Sequence, residues 1–495
     1  MTEASDGSQR PARRHVLAAG GAGLAAIALG TERAGAHAVA SPPIQEAELR
    51  STLHGSVLFP GDPGFEDECK VYNPVVRHKP HAIVVPTCSA DVAAAVGYAA
   101  FVGRPVAVQA TGHGIGVPAD GAVLINTRRL DSVTVDPRER TARIGGGVRW
   151  QAVVEAAGKH GLAPLCGSSL TVGAVGFTLG GGIGPLGRSY GFAADRVQEL
   201  SLVTADAQIR RVTPRRHRDL FWGVRGGKSN FGAVTEMEIQ LVPVSRLYGG
   251  VLLFAGQRAG EVLDAYSSWT KRLPGSMTTS LAFLRPPGGR MFVRVTVAYL
   301  GKAAEGDRLL DPLRELGPDT DTVKSLPFTE VGTIYNDPPA TPVPVFERSG
   351  LLRVLDHPAI TKLVELAGPG AQLPPGMVEL RHLGGALERR PAVGNAVGHR
   401  DARYLLFLAM PAPADQGDSV TRLQSGLMQA MRPHLTGGVL PNFMSSTDTT
   451  DDRVQAAYEP ADLERLLALK REYDPHNLFR INHNLRAGTR RGSAH

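Results

Sequence analysis

One histidine of this sequence has neighbours that leave its ring open to a reaction. His113 stands in the stretch VQATGHGIG, directly after a strand predicted over 105–110 and between two glycines. Because glycine has no Cβ, both edges of the His113 ring are accessible. A neutral imidazole, with an ordinary pKa of about 6.5, is also a competent nucleophile. Most loop histidines are merely solvated, so a chemical role for His113 needs support from the rest of the chain.

Three clusters of glycine supply that support. They are Thr111–Gly114, Gly167–Gly184 and Gly226–Gly232. Without a Cβ in the way, the backbone can approach a flat or anionic ligand closely. Consecutive amides in turns also form anion-binding concavities that suit a pyrophosphate. Several such clusters in one domain predict a long ligand held between them, such as a dinucleotide.

Two common nucleotide-binding motifs fit these clusters poorly. A P-loop ending at Lys228 needs a glycine six residues earlier, where the chain has Trp222. The GIGPLG motif that begins at Gly182 has the spacing of a Rossmann turn, and Asp206 follows about twenty residues later. That turn should follow an apolar strand, whereas the preceding TVGAVGFTLGGG is interrupted by glycines. The P-loop is therefore rejected, and an NAD(P)-binding Rossmann domain is kept as an alternative.

Five stretches match one family in the same order along the chain. They are PHAIVVPTCSADVAAAVGYAAFVGRPVAVQATGHG, GSSLTVGAVGFTLGGGIGPLGRSYGFAADRV, LVTADA, LFWGVRGGKSNFGAVTEMEIQL and YDPHNLFRINHNL. The chain resembles the flavoprotein oxidoreductases of the vanillyl-alcohol-oxidase and p-cresol-methylhydroxylase superfamily, above all their berberine-bridge-enzyme-like branch. Members of that family tend to have a further glycine in place of Lys228, so the likeness to a P-loop is accidental.

The resemblance implies that FAD is the cofactor and that His113 is bonded to the 8α-methyl group of the flavin. Ser169 stands where many relatives have a second linking cysteine, and Cys166 lies three residues too early, so one covalent bond is expected. Val172 matches a position where a small valine admits oxygen, which favours an oxidase. The other implied cofactor positions are Ala110, Thr111, Gly112 and Gly114 at the pyrophosphate, Gly173, Gly176, Gly180, Gly181 and Gly182 along the cofactor, Val234 at the adenine, and Asn482 and Asn484 at the isoalloxazine.

The implied chemistry is oxidation of a small-molecule substrate at a C–H bond beside an oxygen or nitrogen atom. Hydride passes to flavin N5, a protein base takes the paired proton, and molecular oxygen becomes hydrogen peroxide. A dehydrogenase with another acceptor and a flavin-binding protein without catalysis remain alternatives. Alternation along a strand places Glu379 and Arg381 on one face and His382 on the other. The candidates for the base are Tyr335, Glu379, Arg381, His382 and Tyr404.

The element pattern and the resemblance together predict an α+β fold with two main parts. Residues 45–244 are expected to form a two-part FAD-binding domain of the p-cresol-methylhydroxylase type, with a mixed sheet. Residues 245–440 are expected to form a substrate domain, an antiparallel sheet covered by helices. Residues 441–495 are expected to return to the FAD domain.

Local signals place three further features. Ser89 is predicted to cap a helix over 91–102. Residues 278–301 have the pattern of a hairpin with a Pro-Pro-Gly-Gly turn. The proline-rich stretch 337–350 is predicted to be a loop that faces the substrate.

The composition excludes several classes of partner. The formal charge of 54 − 47 = +7 comes without a Lys/Arg run or interleaved aromatic residues, so no nucleic-acid partner is expected. The three cysteines, Cys69, Cys88 and Cys166, lack metal-ligand spacing, so no metal site is expected. A single disulfide between Cys69 and Cys88 is left open.

The N-terminus has the pattern of an export signal. Arg13 and Arg14 precede a Gly/Ala-rich apolar run, and a small-residue site follows at 36–38. Residues 1–38 are therefore predicted to be a signal for the twin-arginine (Tat) export machinery. The apolar run is too short to span a membrane. The sequence thus predicts a secreted protein without a membrane partner.

Overall fold

The computed structural model describes residues 46–336 and 343–486. The predicted export signal lies outside the described residues. No helix among the residues described is both long and apolar enough to cross a bilayer. Helices and strands form the expected α+β fold, in which three separate β-sheets position the candidate site residues.

The helix predicted over 91–102 is present, but its cap differs. Ser89 was expected to cap a helix, but it lies inside the first turn, and Cys88 occupies the cap position. The Ser89 hydroxyl donates a hydrogen bond to Thr235 Oγ1 at 2.8 Å instead. The α-helices are α1 (Glu46–Thr52), α2 (Phe65–Glu68), α3 (Ser89–Phe101), α4 (Trp150–Gly158), α5 (Ala174–Leu179), α6 (Gly187–Tyr190), α7 (Arg218–Gly227), α8 (Ala259–Thr270), α9 (Ala303–Arg314), α10 (Gly332–Tyr335), α11 (His357–Ala367), α12 (Gly417–Met431), α13 (Asp451–Gln455) and α14 (Pro460–Tyr473).

The first sheet has a parallel core. Its strands are β1 (Ser56–Leu58), β2 (Ala82–Val85), β3 (Val106–Gln109) and β4 (Val123–Asn126). β4 lies between β2 and β3 and runs parallel to both, while β1 pairs antiparallel with β2 at one edge. Helix α3 provides the crossover that two parallel strands require. Because β3 ends at Gln109, the loop that carries His113 leaves the sheet at the carboxyl end of a parallel strand.

The second sheet is entirely antiparallel. Its strands are β5 (Val133–Asp136), β6 (Thr141–Gly145), β7 (Val197–Val203), β8 (Ile209–Val212) and β9 (Ala233–Gln240), in the order β5-β6-β9-β7-β8. The single mixed sheet expected for residues 45–244 is therefore wrong, because the strands separate into two sheets. The break follows β4, where the chain turns through a 3₁₀ helix over Thr127–Arg129 and then forms the β5–β6 hairpin.

The third sheet is the antiparallel sheet expected for the second half of the chain. Its strands are β10 (Arg246–Ala255), β11 (Met277–Arg285), β12 (Phe292–Tyr299), β13 (Thr320–Asp321), β14 (Lys324–Pro327), β15 (Val345–Leu352), β16 (Gly376–His382) and β17 (Tyr404–Pro411). The order is β13-β10-β12-β11-β16-β17-β15, and β14 also pairs with β10. The hairpin predicted over 278–301 is confirmed as β11 and β12.

One face of the third sheet is buried under helices. Leu281, Leu380 and Leu406 project from neighbouring strands into an apolar core that also contains residues of α8, α9, α11 and α12. Full burial of such a side chain contributes about 1.5–3 kcal/mol. The alternate residues of the same strands face the opposite side, where they line a cavity described below.

The proline-rich stretch was expected to be a loop as far as residue 350. The structure instead begins strand β15 at Val345, and β15 pairs along its length with β17. The residues Val345-Phe-Glu-Arg-Ser349 alternate between the two faces of the sheet, which becomes evident only once the pairing with β17 is known.

The cysteines form no disulfide. Cys69, Cys88 and Cys166 are all free thiols, so the pairing of Cys69 with Cys88 that the sequence left open is not made.

The C-terminal segment is tied to the glycine-rich part of the chain by a buried ion pair. Lys470 Nζ lies 2.6 Å from Asp474 Oδ2 and also donates to the backbone oxygens of Asn230 and Phe479. Asp474 in turn accepts the backbone N–H groups of Leu478 and Phe479. A buried charge pair of this kind is tolerated because its remaining hydrogen-bonding atoms are satisfied.

Candidate active site

A glycine-lined cavity of about 240 Å³ lies between the first and second sheets and helix α5. The loop after β3 forms one wall, and the residues before and within α5 form another. The stretch around Lys228 and the start of β9 close the remaining side. Of the predicted cofactor residues, those that line this cavity are Ala110, Thr111, Gly112, His113, Gly114, Val172, Gly173, Gly176 and Val234.

Glycines, which have no Cβ atom, allow these walls to approach each other closely. Gly112 has a φ of +74°, and a Cβ there would lie 2.7 Å from Val71 Cα. A Cβ at Gly173 would lie 3.3 Å from the Cβ of Ala110. Gly176 differs, because it is exposed to the cavity and no atom lies within 4 Å of the position its Cβ would take. The open space beside Gly176 is therefore room for a ligand.

The remaining glycines of the middle cluster make room for protein atoms. A Cβ at Gly180 would meet the side chains of Asn442 and Lys228, and one at Gly182 would lie 2.5 Å from the Phe177 ring. Neither Gly180 nor Gly182 is among the residues lining the cavity. Gly181 likewise packs beside Val397. These three glycines therefore set the packing behind the cavity wall.

His113 is held in one orientation at the end of the glycine-lined cavity. Its ring stacks on Tyr72 with a centroid separation of 3.6 Å and an interplanar angle of 14°. Nδ1 lies 2.8 Å from Thr111 Oγ1, and Nε2 lies 3.2 Å from Thr171 Oγ1. Burial, with a smaller contribution from Arg149, lowers the pKa of His113 to about 4. The imidazole is therefore neutral near pH 7, which is the form that can act as a nucleophile.

The two residues considered for a second covalent link lie in different surroundings. Ser169 lines the neighbouring, larger cavity and its hydroxyl is 3.0 Å from Thr171 Oγ1. Cys166 is buried in the apolar core, and burial raises the pKa of its thiol to about 12. A thiol in that environment stays protonated and unreactive.

Lys228 places a positive charge in the wall of the glycine-lined cavity. It follows the kinked end of α7, where Gly226 has a φ of +123°, and it adopts a φ of +54° itself. Burial lowers the pKa of Lys228 to about 8. Within the described part of the chain its ammonium makes no ion pair or hydrogen bond. A buried ammonium of this kind favours an anionic ligand in the cavity.

A second cavity, of about 550 Å³, adjoins the first and lies against the third sheet. His113, Val172 and Phe177 line both cavities, so the two meet at these residues. The strand residues that line the larger cavity are Leu284, Arg285, Phe292, Arg294, Val345, Glu347, Gly376, Met377, Arg381, Phe407, Ala409 and Pro411. A mostly apolar pocket with a few polar groups is typical of a small-molecule site.

Two of the five predicted base candidates line this cavity, and a third supports one of them. Tyr335 and Arg381 are lining residues. Arg381 Nε donates to Glu379 Oε2 at 2.8 Å, which confirms that these two side chains share a face. Burial alone would raise the pKa of the Glu379 carboxyl, but the charge and hydrogen bond of Arg381 together with the charge of Arg294 lower it overall. Glu379 is therefore an ionised partner of Arg381, buried behind it.

The structure does not bring Tyr404 and His382 to the cavity. Both lie on the helix-covered face of the third sheet, where their rings stack with a centroid separation of 5.3 Å. The Tyr404 hydroxyl is 2.6 Å from Thr270 Oγ1 of α8. Burial, followed by the nearby Arg188 and Arg403, lowers the pKa of His382 to about 3. Their strand positions have the wrong parity to face the cavity.

Glu347 is the cavity residue that sequence reasoning missed. It projects from β15 into the larger cavity, in the same row across the sheet as Ala409 and Met377. Burial raises the pKa of the Glu347 carboxyl to about 7, and the opposing effect of Arg381 is smaller. A carboxyl whose pKa lies near neutrality is suited to general acid–base catalysis.

Comparison with known proteins identifies the kind of site. The family model "FAD binding domain" matches residues 80–213, and the model "Berberine and berberine like" matches residues 433–486. (R)-6-hydroxynicotine oxidase of Paenarthrobacter nicotinovorans is 30% identical over 469 residues, which cover 88% of this chain and 97% of that protein. The chain belongs to the berberine-bridge-enzyme-like family of FAD-linked oxidoreductases.

Two solved structures of oxidases share the fold. That of 6-hydroxy-D-nicotine oxidase from Arthrobacter nicotinovorans aligns with a TM-score of 0.78 at 25% identity, covering 88% of this chain and 98% of that one. Glucooligosaccharide oxidase from Acremonium strictum aligns with a TM-score of 0.77 at 22% identity, covering 88% and 98%. That glucooligosaccharide oxidase has a 6-S-cysteinyl, 8α-N1-histidyl FAD.

The residues of the glycine-lined cavity fit FAD. The ammonium of Lys228 and the open space at Gly176 suit an anionic, elongated group. The side-chain oxygens of Asn482 and Asn484 are buried without a hydrogen-bond partner among the described residues. Asn482 Nδ2 lies 3.4 Å from Ser229 Oγ, and Ser229 lines the cavity. The imide N–H of a flavin could donate a hydrogen bond to such an oxygen.

The Rossmann alternative does not fit the flavoprotein fold. The segment that begins at Gly182 follows helix α5 instead of a strand, and the helix after it, α6, has only four residues. A Cβ at Gly184 would lie 1.7 Å from the backbone oxygen of Cys166, so this glycine serves close packing. The GxGxxG spacing is therefore coincidental.

The substitution Gly176→Leu tests the cofactor cavity. The Cβ of the new side chain would lie in open space, with no protein atom within 4 Å, so we expect a folded protein with much less bound FAD. The measurement is the ratio of flavin to protein absorbance after purification. Gly426→Leu is the matched control, since Gly426 is also exposed in a helix with no atom within 4 Å. Wild-type flavin content in Gly176→Leu would contradict the assignment.

Proposed function

We propose that this protein is a secreted oxidase whose FAD is bonded to His113 and whose substrate binds in the cavity beneath the third sheet. The observation that carries the proposal is the meeting of the two cavities at His113 and Val172. A cofactor in the glycine-lined cavity would present its reactive part to a substrate lying against Arg381 and Glu347. When bound, FAD supplies an acceptor for a substrate hydride and passes the electrons to molecular oxygen, giving hydrogen peroxide.

The surroundings of His113 support its role as the attachment residue. Thr111 and Thr171 flank its two nitrogens, and stacking on Tyr72 fixes the plane of the ring. The low pKa keeps a nitrogen lone pair available at neutral pH. With Ser169 in place of a cysteine and Cys166 buried in the core, a single covalent bond is proposed.

Glu347 is proposed as the base that takes the proton from the substrate. The substrate class is an alcohol, sugar, amine or similar molecule with a C–H bond beside oxygen or nitrogen. As hydride leaves that carbon, the O–H or N–H proton must go to a group within hydrogen-bonding reach. Glu347 lines the cavity and its pKa of about 7 leaves the carboxylate populated at neutral pH. Arg381, which is paired with Glu379, would orient the substrate.

The pH dependence tests the base. Since Glu347 must be deprotonated to accept a proton, kcat/KM is expected to rise with pH through about 7 and then level off. Glu347→Gln should lower kcat/KM by roughly 10²–10⁴-fold and remove that rise, with the flavin spectrum intact. Glu365→Gln, in an exposed pair with Lys362, is the control. A Glu347→Gln enzyme that keeps the wild-type profile would exclude Glu347 as the base.

An oxidase and a dehydrogenase can be separated without knowing the substrate. Enzyme reduced with stoichiometric dithionite is mixed with air-saturated buffer, and the return of flavin absorbance and the peroxide formed are followed. An oxidase recovers its colour rapidly and yields peroxide, whereas a dehydrogenase stays reduced until another acceptor is added. Val172→Leu should slow the recovery several-fold, because Val172 lines both cavities; Val354→Leu, at an exposed site, should not. Slow recovery in the wild type would favour the dehydrogenase.

Export through the twin-arginine machinery completes the proposal. Its support is the Arg13-Arg14 pair, the apolar run after it and the small residues at 36–38. A covalent bond would also prevent loss of FAD outside the cell. Replacing both arginines with lysine should leave the protein inside the cell, as detected with an antibody in cell and culture fractions. Unchanged release of the variant would contradict this export route.

A further inference from the structure

The larger cavity contains more positive than negative charge. Two arginine side chains on the cavity face of the third sheet line it, Arg294 and Arg381, against one lining carboxyl group, Glu347. Glu379 lies behind Arg381 and pairs with it, so the charge of Arg381 is already balanced. Glu347 is protonated for part of the time near neutral pH. His113 contributes no charge there. The cavity therefore has an excess of guanidinium charge.

Arg294 is the arginine whose hydrogen bonds are least satisfied. It projects from β12 on the cavity face, opposite Ala282 of β11. Its Nε is buried and has no acceptor among the residues described. Nη1 makes a long contact of 3.4 Å with the backbone oxygen of Tyr335, and Nη2 lies 3.9 Å from Met377 Sδ. None of the ion pairs formed by the described residues includes Arg294.

Arg285, at the end of the neighbouring strand, differs from Arg294. It has the parity of Leu281 and Phe283, so its side chain faces the helices. One of its terminal nitrogens donates to the backbone oxygen of Gly368, while its Nε is buried without an acceptor among the described residues. A buried donor without an acceptor destabilises a protein. Arg294 is therefore the guanidinium of this cavity that we expect to meet an acceptor supplied by a ligand.

We infer that the substrate of this enzyme has a carboxylate attached to a largely apolar body, and that Arg294 binds the carboxylate. This inference rests on the proposed function of the cavity as the substrate site. A guanidinium can donate two parallel N–H bonds to a carboxylate. The apolar body would lie against Phe292, Met377 and Phe407. A phosphate would fit less well, since its second negative charge would add to those of Glu379 and Glu347 on the same face of the sheet.

Binding of small probes to the purified yellow holoprotein tests this inference. Benzoate, benzamide, benzyl alcohol and phenyl phosphate share one apolar ring and differ in the polar group, and calorimetry gives Kd for each. Benzoate should bind about 30-fold or more tightly than benzamide or benzyl alcohol, since losing one partner of a buried charge pair costs at least about 2 kcal/mol. Arg294→Met should remove this preference, and Arg294→Lys should retain part of it.

Controls separate this test from that of the proposed function. Arg308→Met changes an exposed arginine of α9 and should keep the preference for benzoate. Thermal unfolding of each variant shows whether it is folded. Calorimetric binding needs no turnover, so a protein that binds benzoate but fails to react with oxygen would contradict the oxidase and not the carboxylate site. Equal affinities, no benzoate binding, tighter binding of phenyl phosphate, or an unchanged preference in folded Arg294→Met would each overturn the inference.

Discussion

The alternation of side chains across the third sheet is the constraint on which the rest of the site depends. Successive residues of a strand face opposite sides, so the face that packs under α8, α9, α11 and α12 must be apolar. Burial of this apolar face stabilises the fold by about 25 cal/mol per Å² of apolar surface, without a contribution from the other face. The other face can then carry Arg294, Glu347, Glu379 and Arg381, which would destabilise a core. The sheet is thus a stable support with a charged, cavity-lining surface.

The second requirement is close approach of backbone segments around the cofactor. Gly112 adopts a backbone conformation that other residues rarely take, and Gly176 leaves open space where a side chain would stand. These features form a narrow cavity that ends at His113. Since Val172 and the His113 ring line both this cavity and the larger one, cofactor and substrate can meet there. Lys228 adds the positive charge that an anionic cofactor needs.

Much of this architecture could be predicted from the sequence. The His113 loop, the β11–β12 hairpin, the helix-covered antiparallel sheet and the FAD-linked family all followed from local patterns and from the order of the matching stretches. The shared face of Glu379 and Arg381 followed from alternation within one strand. The sequence could not say which face of β16 or β17 meets the cavity, because that depends on packing against another part of the chain. Tyr404 and His382 were therefore offered as bases although they face the helices.

Glu347 was missed for a related reason. Four prolines lie in the ten residues before it, and proline-rich segments usually form loops. Strand β15 becomes recognisable only through its ladder with β17, a pairing between residues more than fifty positions apart. The elevated pKa of Glu347 also arises from tertiary burial, which no local pattern contains. Likewise, the separation of the first half of the chain into two sheets reflects long-range pairing of β9 with β6 and β7.

His113, at the junction of the two cavities, is proposed to hold the flavin, and the other roles follow from that attachment. The most direct measurement is mass spectrometry of proteolytic peptides from the acid-precipitated, purified protein. We expect the yellow colour to stay in the pellet and the peptide containing His113 to carry the added mass of FAD, with fragmentation placing it on that residue. An unmodified His113 peptide with all FAD in the supernatant would contradict this attachment. So would an adduct on another residue, such as Tyr72 or Ser169.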